Sequence, residues 1–107
     1  MFARNVFMNL KSNIILAEFT KTMENETLPL LRKQKGFQDE IILSVPNERE
    51  IVAISFWDHK QSAEAYNSTA YPQVLKILAK LVDGTPQVRT FDVISSTTQK
   101  AAARVAA

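Results

Sequence analysis

IVAISFW, residues 51–57, runs directly into DHKQSAEAYNSTAYPQVLKILAKL, residues 58–81, and these two segments decide the fold. The first segment is almost entirely apolar, which is typical of a buried strand, and it ends on the chain's only tryptophan, Trp57. The second segment repeats apolar residues at helical spacing, and Pro72 within it predicts a second helical piece that starts there. Strand, tryptophan and helix together predict a hydrophobic wall lined by aromatic side chains.

Four strands are expected in the chain. Their predicted ranges are 2–10, 37–45, 50–57 and 87–94. The short turn at 46–49 makes the second and third strands an antiparallel hairpin. In the first strand, alternation places Arg4 among apolar residues on one face and Asn5 on the opposite face.

The first helix is expected between the first two strands, with Ser12 as its N-cap and Gly36 just past its end. Pro29 predicts a kink or a restart near Leu28. The apolar stripe of this helix comprises Ile15, Leu16, Phe19, Met23, Leu30 and Leu31. For the second helix, Asp58 is the predicted N-cap and Gly84 the predicted residue after its end.

The resulting order, βαββαβ, predicts an α+β fold of the ferredoxin-like kind. Its antiparallel four-stranded sheet has two helices on one face. Both faces of the middle strands are apolar, yet two helices can cover only one of them. An apolar sheet face of this size is unusual on a monomer, so the pattern predicts a homodimer that packs sheet against sheet.

Composition limits the function classes. The 107 residues suit one domain, predicted at 1–95, followed by a Ser/Thr- and Ala-rich tail at 96–107. A net charge of +2 gives little attraction for nucleic acid, and no apolar run has the length of a membrane span. Without cysteine there can be no disulfide or thiolate metal site. A cytoplasmic protein without nucleic-acid or membrane partners is expected.

Three motifs resemble the antibiotic biosynthesis monooxygenase-like (ABM) superfamily. They are Phe56-Trp57-Asp58, Tyr66-Asn67-Ser68-Thr69 and Gly84-Thr85-Pro86-Gln87-Val88. The resemblance implies a dimeric α+β barrel, and it covers roughly residues 2–95. It implies a cofactor-independent monooxygenase acting on a small aromatic or quinol-like metabolite. The alternative is a non-enzymatic, small-ligand-binding or stress-related dimeric protein without an active pocket.

The superfamily also includes haem-degrading enzymes, and the resemblance to that branch is incomplete. Asn5 matches its strand asparagine, but Tyr66 stands where its helix tryptophan would be. Lys76, or Leu75 with a one-residue shift, stands where its axial histidine would be. Without an imidazole the iron has no axial ligand, so haem degradation is not expected, and neither a cofactor nor a metal is predicted.

The candidate pocket residues combine an amide with large apolar and aromatic side chains. They are Asn5, Phe19, Met23, Trp57, Tyr66 and Tyr71. For Trp57 and both tyrosines, simple core packing is the competing interpretation. The only histidine, His59, is expected at a solvated helix start, and it has no partners for a catalytic triad. The sequence therefore offers polar groups that could hold an aromatic anion, but no evident base, and the catalytic residues stay unidentified.

Overall fold

A computed structural model describes residues 1–97 of the chain. The strands are β1 (Phe2–Leu10), β2 (Phe37–Ser44), β3 (Glu50–Trp57) and β4 (Val82–Asp92). The helices are α1 (Leu16–Thr22), α2 (Leu28–Arg32), α3 (Lys60–Thr69) and α4 (Tyr71–Leu78), with a π-helical segment, Met23–Thr27, between α1 and α2. Most of the tail predicted from residue 96 onward lies outside the described residues.

The four strands form one sheet in the order β2-β3-β1-β4, and every neighbouring pair is antiparallel. The two strands at the centre, β1 and β3, are not consecutive in the chain, which is the ferredoxin-like arrangement. The predicted α+β fold class is therefore confirmed. The helical segments pack on one face of the sheet.

The covered face holds a single hydrophobic core. Along β1 the even-numbered residues are buried from Phe2 to Leu10, and along β3 the odd-numbered residues are buried from Ile51 to Trp57. Phe19, Met23 and Leu31 close this core from the first helical region. Trp57 has 0% exposure, because Phe37 meets its ring edge-on at 5.5 Å and Tyr66 stacks on it at 5.0 Å.

The first helical region differs from its predicted form. Helix α1 starts at Leu16 with Ile15 as N-cap and no side-chain cap bond, so Ser12 is not the cap. Ile15 and Leu16 are exposed, although the predicted stripe included them. The chain restarts as α2 at Leu28, with Pro29 in its first turn, as predicted. Between them, the wider π-helical turn shifts the angular phase of the stripe.

Three other predicted helix ends are wrong. The N-cap of α3 is His59 rather than Asp58, whose carboxylate accepts a hydrogen bond from Ser62. Gly84 has the predicted positive φ, 65°, but it lies inside β4, where the pairing with β1 shifts register and forms a bulge. Gly36 also has a positive φ, 85°, yet it directly precedes β2 and its carbonyl accepts the Asp58 backbone N–H. Both glycines are therefore used for turns within or beside strands.

The opposite face of the sheet is apolar, and no helix within residues 1–97 lies over it. Ile41 and Leu43 of β2 and Phe91 of β4 are 39–48% exposed there. Phe7, Val52, Ile54 and Phe56 lie between them at the centre and are partly buried. We call this surface, from Ile41 to Phe91, the open face. Among residues 1–97, no helix combines the length and the apolar character that crossing a bilayer requires.

Candidate functional site

A row of polar residues crosses the covered face of the sheet. Arg4 of β1 pairs with Ser55 of β3, and Ser55 pairs with Glu40 of β2. Residues paired across antiparallel strands point to the same face, so the three side chains all turn toward the helices. A charged residue on each side of a serine is an unusual content for a hydrophobic core.

Arg4 is 3% exposed, which is rare for a cation unless specific groups stabilise it. One guanidinium nitrogen donates a 2.9 Å hydrogen bond to Asn67 Oδ1 on α3. The guanidinium also lies 3.9 Å from the ring centre of Tyr71 and 5.2 Å from that of Tyr66. Two aromatic faces and one amide oxygen therefore hold the cation beneath the junction of α3 and α4.

Ser55 connects this row to the aromatic core. Its Oγ accepts a 2.9 Å hydrogen bond from the indole nitrogen of Trp57 and donates to the backbone carbonyl of Arg4. The single donor of the serine hydroxyl and one of its two acceptor sites are thus used in fixing its neighbours. Arg4 and Glu40, in contrast, retain hydrogen-bonding capacity on either side of it.

A small cavity lies above the polar row. Its volume is about 20 Å³, room for about one water molecule. Polar residues line part of the wall, namely Arg4, Thr27, Glu40, Ser55, Tyr66 and Tyr71, and the rest is apolar, including Met23, Leu31 and Val74. The cavity therefore places one small polar space inside the core.

Three buried oxygen atoms of this lining have no hydrogen-bond partner within residues 1–97. They are Thr27 Oγ1, Glu40 Oε1 and Tyr71 Oη. Buried polar atoms without partners are rare and costly, because each loses its bonds to water. Three of them around one cavity indicate a place built to hydrogen-bond a small polar group.

Burial and nearby charges perturb the acids of this site. Burial, together with the neighbouring Asp39, raises the pKa of Glu40 from 4.5 to about 7, against the opposing effect of Arg4. Burial likewise raises the pKa of Tyr66 and of Tyr71, again against the effect of Arg4. Arg4 lies close enough to Tyr71 to act on this pKa, although the two groups do not meet in hydrogen-bond geometry. Both phenols stay neutral at pH 7, whereas Glu40 can be either protonated or ionised.

A larger groove opens to solvent on the other side of Arg4. Its volume is about 280 Å³, near the lower end for small-molecule sites. The lining comes from β1, α3 and β4 and comprises Phe2, Arg4, Lys60, Ala63, Glu64, Asn67, Val88 and Thr90. Arg4 is in the lining of both spaces, so the groove and the inner cavity meet at its side chain.

The structure brings together only part of the predicted pocket. Met23, Tyr66 and Tyr71 line the inner cavity. Trp57 and Phe19 have 0% exposure and line neither space, so both serve as packed core. Asn5 is placed between Ile54 and Arg89 on the open face, because it follows the inward-facing Arg4 in the strand. Asn5 is therefore not a residue of this cavity.

Four polar residues of the cavity lay outside the predicted set: Arg4, Thr27, Glu40 and Ser55. The sequence does contain a signal for Arg4, since it occupies an apolar face of β1 and a buried cation needs partners. The sequence contains no comparable signal for Glu40. Simple alternation from Phe37 turns it away from the core, but a bulge between Phe37 and Asp39 turns it inward.

A metal centre finds no support in the described part of the chain. Residues 1–97 contain no group of three or more histidine, aspartate or glutamate side chains arranged to hold an ion. Lys76, which stands where the haem-degrading branch would have its axial histidine, is exposed on α4.

Comparisons with known proteins agree on the fold. No protein-family model matches the chain, and no curated protein matches it either. Among solved structures, SnoaB from Streptomyces nogalater, a cofactor-independent oxygenase crystallised as the N63A mutant, has a TM-score of 0.72 and 17% identity, covering 92% of this chain and 97% of its own. The ActVA-Orf6 monooxygenase of Streptomyces coelicolor, in complex with nanaomycin D, has a TM-score of 0.74 and 12% identity, covering 92% of each chain.

A third similar structure is the NE2512 protein of unknown function from Nitrosomonas europaea. Its TM-score is 0.72 at 14% identity, with 92% of this chain and 93% of its own covered. The similarity spans nearly the whole described chain. The predicted resemblance to ABM-type proteins is thus confirmed at the level of the fold.

Proposed function

We propose that this protein is a cofactor-independent monooxygenase that acts on a small phenolic or quinol-like aromatic metabolite. One observation carries the proposal: a buried arginine lines both a ligand-sized groove and a cavity that contains unpartnered polar atoms. An aromatic ring suits the apolar part of the groove wall, formed by Phe2, Ala63 and Val88, and a phenolate oxygen suits the guanidinium. A cofactor-independent oxygenase and a monooxygenase of the same fold support this choice.

The proposed reaction requires few protein groups. In oxygenation of an anthrone-like ring, the methylene and O₂ give a carbonyl and water, so the substrate itself supplies the electrons. The protein has to bind the ring, stabilise its anion and keep bulk water away. Arg4 supplies a fixed positive charge for the anion. Tyr66 and Tyr71 hold that charge in place through their ring faces.

The test uses 1,8-dihydroxyanthrone as the substrate probe. Wild-type protein should consume O₂ and form 1,8-dihydroxyanthraquinone without added metal or flavin, and the probe should raise the melting temperature. Arg4→Met should lose most of the turnover, whereas Arg32→Met, which removes an exposed arginine of α2, should not. Absence of both turnover and thermal shift would refute the proposal.

A second candidate, a non-enzymatic binding or stress-related protein, is favoured by the size of the cavity. About 20 Å³ cannot hold an aromatic ring, and the core around Trp57 is filled. In that case the polar row of Arg4, Ser55 and Glu40 serves only to bind internal water. The same probe separates the candidates, because a filled protein should neither bind nor oxygenate the anthrone.

We propose further that the protein is a homodimer joined through the open face. The support is the exposed apolar surface formed by Ile41, Leu43, Phe91 and the central side chains between them. A second copy laid on this sheet would bury a standard interface of about 1,600 Å² in total. Analytical ultracentrifugation should give a species of twice 12.1 kDa, and a stable dilute monomer would refute the dimer.

A further inference from the structure

The groove and the cavity meet at one side chain, which sets out a path for a proton. Arg4 lines both spaces, and Glu40 lines the cavity only. A substrate in the groove can place an acidic hydroxyl beside Arg4, where Asn67 also lies. The cavity behind Arg4 has room for one water molecule, and a single water can carry a proton between two groups.

The far end of this path is a carboxylate with an unused oxygen. Glu40 Oε1 is buried and has no hydrogen-bond partner within residues 1–97. Thr27 Oγ1 and Tyr71 Oη, also unpartnered, face the same space and can position the bridging water. Ser55 sits between Arg4 and Glu40 in the strand order and keeps the two charges on opposite sides of the row.

We propose that Glu40 is the general base of the site, accepting the acidic proton of the bound substrate through one water in the cavity. This inference rests on the proposed monooxygenase function. In the step, the O–H bond of the substrate's enol tautomer breaks and its electron pair stays on the oxygen, which becomes an oxyanion beside Arg4 whose charge is shared with the carbon that O₂ oxidises. The water passes a proton to Oε1 and takes the substrate proton in exchange, and the proton later leaves with the water that oxygenation releases.

The electrostatics of the cavity suit this role. Burial brings the pKa of Glu40 to about 7, so the ionised form is available at neutral pH and still has appreciable basicity. Two charged groups act on this pKa: Asp39 of the same strand raises it and Arg4 of β1 lowers it. Tyr66 of α3 and Tyr71 of α4 line the same cavity. Both tyrosines remain neutral, so within residues 1–97 Arg4 is the one residue of the cavity lining, besides Glu40, that carries a charge.

The experiment measures kcat and KM for 1,8-dihydroxyanthrone between pH 5 and 9. The proteins are wild type, Glu40→Gln, Glu40→Asp and the control Glu48→Gln, which changes an exposed carboxylate in the turn between β2 and β3. Glu40→Gln should lower kcat by about 100-fold or more with KM nearly unchanged, and should remove the acid limb of the profile near pH 7. Glu40→Asp should recover part of kcat, and Glu48→Gln should match wild type.

Two outcomes would overturn the inference, and they differ. Active wild type with a Glu40→Gln variant that keeps both kcat and the acid limb would remove Glu40 as the base and leave the monooxygenase function intact. Wild type that neither binds nor oxygenates the anthrone would overturn both. Misfolding does not obscure the result, because replacing a buried carboxylate by its neutral isostere should leave thermal unfolding above pH 7 unchanged or improved.

Discussion

The two faces of the sheet are both largely apolar, but they differ in how polar groups are treated. The covered face encloses a cation, a carboxylate and several hydroxyls among its apolar residues. The open face carries its polar groups at positions such as Asn5 and Arg89, where the Arg89 guanidinium lies 5.2 Å from the ring centre of Phe91. Polar groups in a core are costly and need a reason, whereas polar groups on an open surface do not. The comparison supports the proposal that the functional site lies on the covered face.

Adjacent aromatic residues of β3 test this contrast most strongly. Trp57→Ala should lower the free energy of unfolding by about 3–5 kcal/mol, because it empties a filled aromatic site. Phe56→Ala, on the open face, should cost distinctly less in the isolated chain, since Phe56 is only partly buried. Urea unfolding of both variants measures the difference. Equal losses would mean that the two faces are equally well packed.

The pH dependence of stability tests whether burial raises the pKa of Glu40. Because the native pKa of Glu40 is about 7 and its ordinary value is 4.5, the native state keeps a proton that the unfolded chain has already released. The free energy of unfolding should therefore fall as pH rises between these values, by up to about 3 kcal/mol, and then level off.

Glu40→Gln should lack this fall, whereas Glu48→Gln should retain it. The measurement is urea unfolding of the three proteins at pH 5 and pH 8. A stability difference between wild type and Glu40→Gln that stays constant across this range would show that Glu40 titrates normally in the folded protein.

Substitutions at the two glycines allow a crowded position, Gly36, to be compared with an open one, Gly84. A Cβ on Gly36 would lie 2.2 Å from Asp58 Oδ1 and 2.4 Å from Ser62 Oγ, whereas one on Gly84 would meet nothing within 4 Å. Gly84→Ala should cost about 1 kcal/mol for backbone strain alone. Gly36→Ala should cost about 2 kcal/mol or more, because side chains must also move. Thermal unfolding of both variants provides the test, and an equal loss would mean that the Asp58–Ser62 pair yields freely.

The smallest effect is expected at Asn5. Asn5→Leu on the open face should change the free energy of unfolding by no more than about 0.5 kcal/mol and leave anthrone binding intact. Chemical unfolding and a thermal-shift titration measure both quantities. A loss of about 1–3 kcal/mol would instead reveal a buried hydrogen-bond partner for the amide.

Local patterns predicted the elements well because strands and helices follow from residue periodicity. The aromatic stack of Trp57 and Tyr66 follows from the strand and helix that carry them. The cavity depends on pairing between distant strands, which no local pattern contains. Glu40 meets Ser55, and Ser55 meets Arg4, only once the strand order and the bulge near Phe37 are fixed. The predicted site therefore included the aromatic side chains but not the polar row of Arg4, Ser55 and Glu40.

The bulge at Gly84 has a consequence for how copies of the protein can join. Among residues 1–97, β4 is the outermost strand on its side of the sheet, and no strand of this part of the chain pairs with its far edge. The irregular stretch around Gly84 and the missing N–H of Pro86 break that edge into short pieces. Strand-by-strand growth into fibrils is thereby discouraged at this edge, and an apolar sheet can be displayed with less risk of aggregation.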